Sequence, residues 1–442
     1  MKGNKRNTYS VIRYNFFVTN TIGEPLMENQ TTNKKIRNEI VMILLVAILG
    51  AVAGLIVWAF LKAVSLTTAL LWTGIPSIFS NPFYKIGMCV LVSLLIGILH
   101  KKFGNYPDSL DKIMYLVKTE KHYNYKKIVI ILISAFLPLV IGASVGPEAG
   151  LAGVITALCY WVGDNVKLAK DQKETYTQVG MAATLGALFR MPLFGIVSVE
   201  ESDDAVIPTI SKASKLLYYV IAVAAAYGVY TIMGLLLGAG LEGFPKFEME
   251  EITSGDYFAS PLYILAGIAL FLIFLGSEKL FEFLGSKIPT ILKEMIAGLV
   301  IGLTAIFFPL VLFSGEEEMG LLMDSTVIYA PLVLILAAVV KMILTNLCIS
   351  FGLKGGHFFP MIFGCVAMGF ALSLLIFGNV EHAAFAAAII TGTTLGAQLK
   401  KPLAVVLLLL LCFPLRFIFW LFVAAVIGKC IASIVLKKKT AR

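Results

Sequence analysis

The stretch that decides the fold is Gly142-Ala143-Ser144-Val145-Gly146-Pro147-Glu148-Ala149-Gly150, which directly follows the apolar run 128–141. Its three glycines and its proline indicate that one helix ends and a second begins, with Pro147 in the first turn of the second. A helix that begins inside an apolar region exposes its first backbone N–H groups there, with a partial positive charge of about half an elementary unit. The stretch therefore predicts an anion site made of backbone amides.

A second stretch of the same kind, Gly352-Leu353-Lys354-Gly355-Gly356-His357-Phe358-Phe359-Pro360, follows the apolar run 328–350. The pattern T-L-G-A-x-[FL]-[RK]-x-P-L also occurs twice, at Thr184–Leu193 and 210 residues later at Thr394–Leu403. The prolines Pro147 and Pro360 are 213 residues apart, which is almost the same offset. These repeats predict a duplicated fold with inverted halves, in which broken helices of both halves meet near the membrane midplane.

The composition places the chain in a membrane. Of 442 residues, 59% are hydrophobic and 14% are charged, and the mean hydropathy is +0.89. A soluble protein carries about 25% charged residues, so a soluble enzyme and a disordered regulator are excluded. The net charge of +9 lies mostly in the tails and short loops, which indicates membrane topology and no nucleic-acid partner.

Apolar segments recur along the whole chain, and their lengths are unequal. The runs cover 40–61, 86–99, 128–141, 149–163, 179–199, 216–239, 260–276, 296–313, 328–350, 361–377, 383–397 and 402–436. Several are near 15 residues, shorter than the roughly 20 that a perpendicular span needs. Short, broken segments at membrane depth are typical of transporters and channels, because their exposed backbone lines a polar cavity.

Charge along the chain predicts the domain organisation. We predict a cytoplasmic N-terminal tail (1–38), a first membrane repeat (39–240), an acidic extracytoplasmic connection (241–257), a second membrane repeat (258–436) and a basic cytoplasmic tail (437–442). Because lysine and arginine accumulate on the cytoplasmic side, both termini are expected in the cytoplasm, and the protein is expected in the cell membrane.

These motifs together resemble the CLC family of chloride channels and chloride/proton antiporters, whose signatures are G-S-G-I-P, G-[KR]-E-G-P and G-x-F-x-P. The third signature is matched by Gly356–Pro360, and the second is matched in part by Ala143–Pro147. The first is barely recognisable in Phe103–Pro107, and Met191–Glu201 is similar to the family's P-L-x-G segment with paired glutamates. The resemblance implies an all-α polytopic membrane protein with two inverted repeats. It also implies a homodimer that has an anion pore in each subunit.

The resemblance and the predicted helix termini together define a candidate anion site. Its expected residues lie in the three motifs: Gly104, Asn105, Ser144, Val145, Gly146, Gly356, His357, Phe358 and Phe359. We expect a chloride ion or another halide there, with no metal and no further cofactor.

The departures from the family pattern decide the functional hypothesis. Val145 stands where the family has a gating glutamate, and a valine cannot titrate. Gly104 stands where the family has a serine that contributes to the central anion site. We therefore favour passive, chloride-selective conduction, with fluoride selectivity left open.

A chloride/proton antiporter is the alternative, and it would use Glu148 together with Glu200 or Glu201. Glu148 lies one helical turn after Val145, where it could replace the missing gate or cap its own helix. Glu200 and Glu201 end an apolar run, where they could carry protons or form a solvated helix end.

Enzyme activity is not expected, although Gly142–Gly146 fits the hydrolase pattern G-x-S-x-G. That pattern functions between a strand and a helix of a soluble sheet, and no such context precedes it. An intramembrane enzyme built on Ser144 and a carrier of organic solutes remain rival hypotheses. Lys341 and Arg416 lie inside apolar runs, where they are expected to face the protein interior or to reach the membrane surface.

Overall fold

The computed structural model of the chain describes residues 24–78, 81, 83–120, 122–165, 173–201, 212–238, 244–248, 251–323 and 329–440. Within these ranges the regular structure is helical, and the one β-type pairing is an isolated bridge between Gly146 and Gly356. Eight of the described helices are long and apolar enough to cross a membrane. The predicted all-α, multi-pass membrane fold is confirmed.

The chain order of the helices shows the duplication. The first half contains α1 (Glu24–Ala69), α2 (Ile75–Ile78), α3 (Phe83–Phe103), α4 (Leu110–Thr119), α5 (Ile128–Val140), α6 (Glu148–Asn165), α7 (Lys173–Leu188), α8 (Pro192–Glu200) and α9 (Lys212–Leu237). The second half contains α10 (Ser254–Ser286), α11 (Thr290–Phe307), α12 (Glu316–Met323), α13 (Pro331–Ser350), α14 (Phe358–Phe377), α15 (Ala383–Leu399), α16 (Pro402–Leu409) and α17 (Ile418–Thr440).

The series α5–α8 recurs as α13–α16 at a constant offset of 210 residues. Helix α6 begins at Glu148 and α14 begins at Phe358, while α8 and α16 begin at Pro192 and Pro402. The offset also places Gly146 opposite its own equivalent Gly356, and the bridge between them is antiparallel. Equivalent segments that run in opposite directions are what inverted repeats require, so the predicted duplication is confirmed.

Two apolar runs divide into two helices each. The run 179–199 contains α7 and α8, which are separated by Arg190 in a left-handed conformation (φ 51°). The run 402–436 contains α16 and α17, and Lys400 before it has nearly the same φ, 56°. A proline then occupies the first position of α8 and of α16, where a helix loses no hydrogen bond to it.

Several predicted domain boundaries fall inside helices or outside the described residues. Helix α1 begins at Glu24, within the predicted tail 1–38, and α17 continues to Thr440. Residues 1–23 and 441–442 lie outside the described residues, as do 241–243 and 249–250 of the predicted acidic connection. The division at 38 and 437 therefore remains a prediction about charge and orientation.

The broken helices lie at the centre of the protein. In α14, 72% of the most apolar 18-residue stretch is buried inside the protein, compared with 22% in α9. Helix α14 is therefore surrounded by protein, whereas most of α9 is exposed. The long helices of the first half pack through small residues, because Gly50 and Gly54 of α1 lie directly against the backbone of Ala222 and Ala226. Close backbone approach of this kind is typical of membrane helices. The predicted anion site therefore lies on helices that are shielded from lipid.

Candidate anion site

The two helix breaks cross at Gly146 and Gly356. Gly146 N–H donates to the Gly356 carbonyl at 2.8 Å, and Gly356 N–H donates to the Gly146 carbonyl at 2.7 Å. Each glycine faces the Glu148 side chain so closely that a Cβ would overlap it. Glycine is therefore required at both positions, because only a bare backbone lets the two halves and one carboxylate share this space.

The loops that lead into the crossing have the same geometry. Gly142 and Gly352 both have a positive φ, 80° and 95°, directly after α5 and α13. The following residues donate back to equivalent carbonyls, Ala143 to Pro138 at 3.1 Å and Leu353 to Cys348 at 2.8 Å. All these pairs are 210 residues apart, so Pro147 corresponds to His357. The 213-residue spacing of Pro147 and Pro360 does not describe equivalent positions.

Glu148 reaches from the start of its own helix to the start of α14. The residue is 2% exposed, and its Oε1 accepts a hydrogen bond from Phe358 N–H at 2.9 Å. Its Oε2 lies against Gly146 and has no hydrogen-bond partner among the described residues. The Glu148 carboxylate thus binds a backbone N–H group at which the sequence predicts an anion. Glu148 belongs to the first half of the protein, and this N–H group belongs to the second.

Val145 is fully buried, and its side chain packs against Gly355. It lies beside the crossing without a polar contact, in agreement with the expectation that it cannot titrate. Glu148, one turn later, supplies the carboxylate that the motif position itself lacks. The position of Glu148 therefore supports the alternative that it replaces the gating glutamate. Its hydrogen bond to a helix start is made to α14.

Ser144 is tied into the protein interior. Its Oγ lies 2.9 Å from Thr345 Oγ1, and Thr345 in turn donates to the Lys341 carbonyl at 2.8 Å. The Thr345 proton is used in that second bond, so Ser144 is the donor of the first. A buried hydroxyl that donates to α13 connects the first-half loop to the second half, and this contact supplies no base that would activate a nucleophile.

His357, Phe358 and Phe359 form the opening of α14. His357 is the N-terminal capping residue, and its ring contacts Phe274 and Phe358. Phe359 stacks between Phe189 and Phe244, with ring centroids 4.8 Å away on each side. This aromatic stack fixes the first turn of α14 and therefore the direction of the Phe358 N–H group.

Gly104 and Asn105 lie beside the loop that precedes α14. The Asn105 carbonyl accepts from Lys354 Nζ at 3.0 Å, and the Phe103 carbonyl accepts from Lys127 Nζ at 2.7 Å. The weak first motif is thus joined to the second half by the Lys354 ammonium group, and Lys127 holds it within the first half. Lys354 is the structural equivalent of Ser144, and the sequence alone did not single it out.

Glu200 and Glu201 make contacts of a different kind. Glu200 forms an ion pair with Lys215 at 2.5 Å, and its side chain is 46% exposed. Glu201 accepts from Leu403 N–H at 3.3 Å and Ala404 N–H at 2.8 Å, in the first turn of α16. Their proposed part in a proton path stays a prediction. Ser202, the next position of the family's glutamate segment, lies outside the described residues.

Two further charged groups line the region. Lys341 is fully buried and donates to the carbonyls of Val311, Leu312 and Phe313 at 3.1, 2.7 and 2.8 Å. It faces the protein interior, as expected for a cation in an apolar run, and its charge is taken up by a carbonyl cluster. Arg416 lines a wide cavity on the protein surface.

Sequence reasoning missed Glu316, which is buried at the start of α12 and lines a cavity beside Phe189. The signal was present in the run Glu316-Glu317-Glu318 between two apolar segments. Three adjacent carboxylates between apolar segments cost free energy unless at least one of them is paired or faces the protein interior.

Comparison with known proteins shows the family of this chain. The family model described as "Voltage gated chloride channel" matches residues 92–433. The putative ion-transport protein YfeO of Salmonella schwarzengrund is 24% identical over 343 residues, covering 76% of this chain and 80% of that protein. YfeO of Salmonella typhimurium is equally similar, with the same identity and coverage.

Solved structures share the fold. A slow cyanobacterial Cl−/H+ antiporter aligns with a TM-score of 0.76 and 19% identity, over 90% of this chain and 98% of the other. A CLC-type fluoride/proton antiporter aligns with a TM-score of 0.70 and 18% identity, over 89% and 95% of the two chains. A eukaryotic CLC transporter aligns with a TM-score of 0.71 and 15% identity, over 89% and 71%.

Proposed function

This chain belongs to the voltage-gated chloride channel family, and from that premise we propose that it exchanges chloride, or a similar small anion, for protons through Glu148. The observation that carries the proposal is the 2.9 Å hydrogen bond from Phe358 N–H to the Glu148 carboxylate. The Glu148 carboxylate is an anion attached to the chain, so it competes directly with a free anion for the Phe358 N–H group.

Protonation resolves this competition. A neutral carboxyl is a weaker hydrogen-bond acceptor than a carboxylate, so protonated Glu148 leaves the Phe358 N–H available to the transported anion. Return of the carboxylate expels the anion and requires that the proton depart. Anion movement and proton movement then share one group, which is the physical requirement for coupling them.

Passive conduction is the second candidate, and Val145 favours it. With no titratable side chain at the usual motif position, a pore could conduct whenever Glu148 is displaced. The contacts of Glu200 with Lys215 and of Glu201 with α16 also support this candidate, because they leave both carboxylates engaged in structural contacts.

Simultaneous measurement of chloride and proton flux in proteoliposomes separates the two candidates. We expect a chloride gradient to drive protons uphill, and we expect anion flux to rise as pH falls. The rise is limited to about tenfold per pH unit, because one group sets it. In Glu148→Gln, anion flux should persist without proton movement and without pH dependence.

The outcomes are distinct. Wild-type chloride flux with no proton movement would establish passive conduction. Proton movement that survives in Glu148→Gln would assign the coupling to another group. Replacing chloride by fluoride, bromide or nitrate in the same assay measures anion selectivity, since an amide donor discriminates weakly among them.

The proposed setting is the cell membrane, with both termini in the cytoplasm and two copies of the chain forming a homodimer. The basic residues near both ends support the orientation. Protease protection of tags placed at each terminus tests the orientation, and chemical crosslinking in the membrane tests the dimer.

A further inference from the structure

Glu316 differs from its neighbours in the acidic run at the start of α12. Its side chain is buried, with 9% of the residue exposed, whereas Glu317 in the same turn is exposed. Ser314 Oγ donates a hydrogen bond to the Glu316 Oε2 at 3.2 Å. A solvated helix end does not require this burial, so the position of Glu316 calls for a separate explanation.

Glu316 lines two of three neighbouring cavities formed by the described residues. A wide chamber of about 990 Å³ shares Lys246 and Leu411 with a narrow chamber of about 220 Å³. Glu316 lines the narrow chamber and also a crevice of about 50 Å³. Pro147, one residue before Glu148, also lines that crevice.

The Glu148 carboxylate lies close to Glu316. Its unpartnered Oε2 lies against Gly146, the neighbour of Pro147. The two glutamates are near enough to interact electrostatically, with Arg190 and Glu318 as further charged neighbours of Glu316. A carboxylate oxygen that has no hydrogen-bond partner among the described residues therefore lies near a second carboxylate, and that second carboxylate borders the narrow chamber.

The surroundings of Glu316 combine both signs of charge. The titratable and charged groups that face it from the packed elements are Glu148, Arg190, Tyr227, Lys246, Glu317, Glu318 and Cys412. The positive charge of the buried Lys341 offsets the negative charge of Glu318. Arg190 and Lys246 line the narrow chamber, where their positive charges favour an anion, and Arg190 also favours the ionised form of Glu316.

We propose that Glu316 transfers protons between Glu148 and the narrow chamber, as a second titratable residue of the transport cycle. This inference rests on the proposed proton coupling at Glu148. When a proton moves from Glu148 towards the narrow chamber, the O–H bond of protonated Glu148 breaks and an O–H bond forms on the Glu316 carboxylate. Glu316 then gives the proton to water in the chamber, and both carboxylates end ionised; loading follows the reverse order.

A capping role for Glu316 at the start of α12 is the competing explanation. Helix N-termini favour carboxylates, but Glu317 and Glu318 provide two more in the same turn. A cap would affect stability without changing which protons accompany the anion. The two roles therefore differ in the proton readout.

The test compares Glu316→Gln with Glu317→Gln in full-length protein reconstituted in liposomes. We expect Glu316→Gln to lower proton flux by about a hundredfold, the small end of what a positioned acid or base supplies, with anion flux changed less than about twofold. Glu317→Gln, the matched exposed control, should leave both fluxes at wild-type values. Glu316→Asp keeps a titratable group and should retain proton flux with a shifted pH profile.

Each result has one meaning. Equal proton flux in Glu316→Gln and wild type overturns the inference while leaving coupling through Glu148 intact. If wild type moves no protons, the proposed function itself fails. If Glu316→Gln does not assemble, Glu316→Asp decides, because an unshifted pH profile at wild-type proton flux contradicts a role for Glu316 in proton transfer.

Discussion

The two halves of the protein have nearly the same backbone at the crossing, but their side chains differ in charge. Glu148 begins α6, and its equivalent at the start of α14 is Phe358. Glu201 follows α8, and its equivalent after α16 is Leu411. In both cases the first half supplies a carboxylate and the second half supplies the N-terminus that receives it.

This difference shows how a symmetric backbone can give an asymmetric site. Inverted repeats present two opposed helix N-termini, each able to hold an anion. Glu148 of the first half occupies the N-terminus of α14. Its equivalent Phe358 has no carboxylate that could occupy the N-terminus of α6. In the proposed exchange, only one side of the crossing then has a carboxylate that competes with the transported anion.

The loops before the two helices are also supported differently. Gly142 packs against the rings of Trp72 and Phe313. Gly352 packs against Glu294, whose carboxylate is bonded to His100 Nδ1 at 2.6 Å with both side chains fully buried. One loop therefore rests on aromatic surface and its equivalent rests on a buried polar pair.

The largest expected effect on stability is at this polar pair. Glu294→Ala leaves His100 buried without its partner and should cost about 3 kcal/mol, as breaking buried pairs does. Thermal unfolding in detergent measures the loss. His382→Ala, at the half-buried His382–Asp256 pair, is the control, because Asp256 keeps its capping contacts with Thr253. An equal loss of stability in both variants would contradict the inference that the buried His100–Glu294 pair supports the Gly352 loop.

An intermediate effect is expected from Gly356→Ala. The new Cβ overlaps the Glu148 carboxyl group, so Glu148 must leave Phe358 or the crossing must shift. Overpacking of this kind costs about 1–3 kcal/mol. Proton-coupled flux should fall as well, whereas Gly276→Ala in α10, which has open space around it, should leave flux unchanged. Wild-type flux in Gly356→Ala would contradict the close approach.

The smallest effect is expected from Glu201→Gln. Losing a charged cap on α16 should cost about 1 kcal/mol, as measured by thermal unfolding. The ratio of anions to protons should stay at the wild-type value, because Glu201 contacts Leu403 and Ala404, outside the crossing. A changed ratio would assign Glu201 to the proton path and make the two first-half carboxylates functionally alike.

Much of this protein could be predicted from local sequence. Apolar runs predicted the helices, and the glycines and proline around Gly146 predicted the break. The match between Thr184–Leu193 and Thr394–Leu403 predicted the duplication with the correct offset of 210 residues. The offset inferred from Pro147 and Pro360 differed by three, since helix-opening prolines tolerate more than one position in the first turn.

The sequence by itself determined that the chain lies in a membrane, folds as two related halves and breaks two helices at apolar depth. These are local properties, because hydropathy and backbone preference act over a few neighbouring residues. Only the tertiary structure decided that Glu148 bonds to Phe358, 210 residues away. It also decided that Glu316 borders the crevice beside Pro147. Contacts of this kind depend on how the two halves pack, and the packing is set by the whole buried surface together.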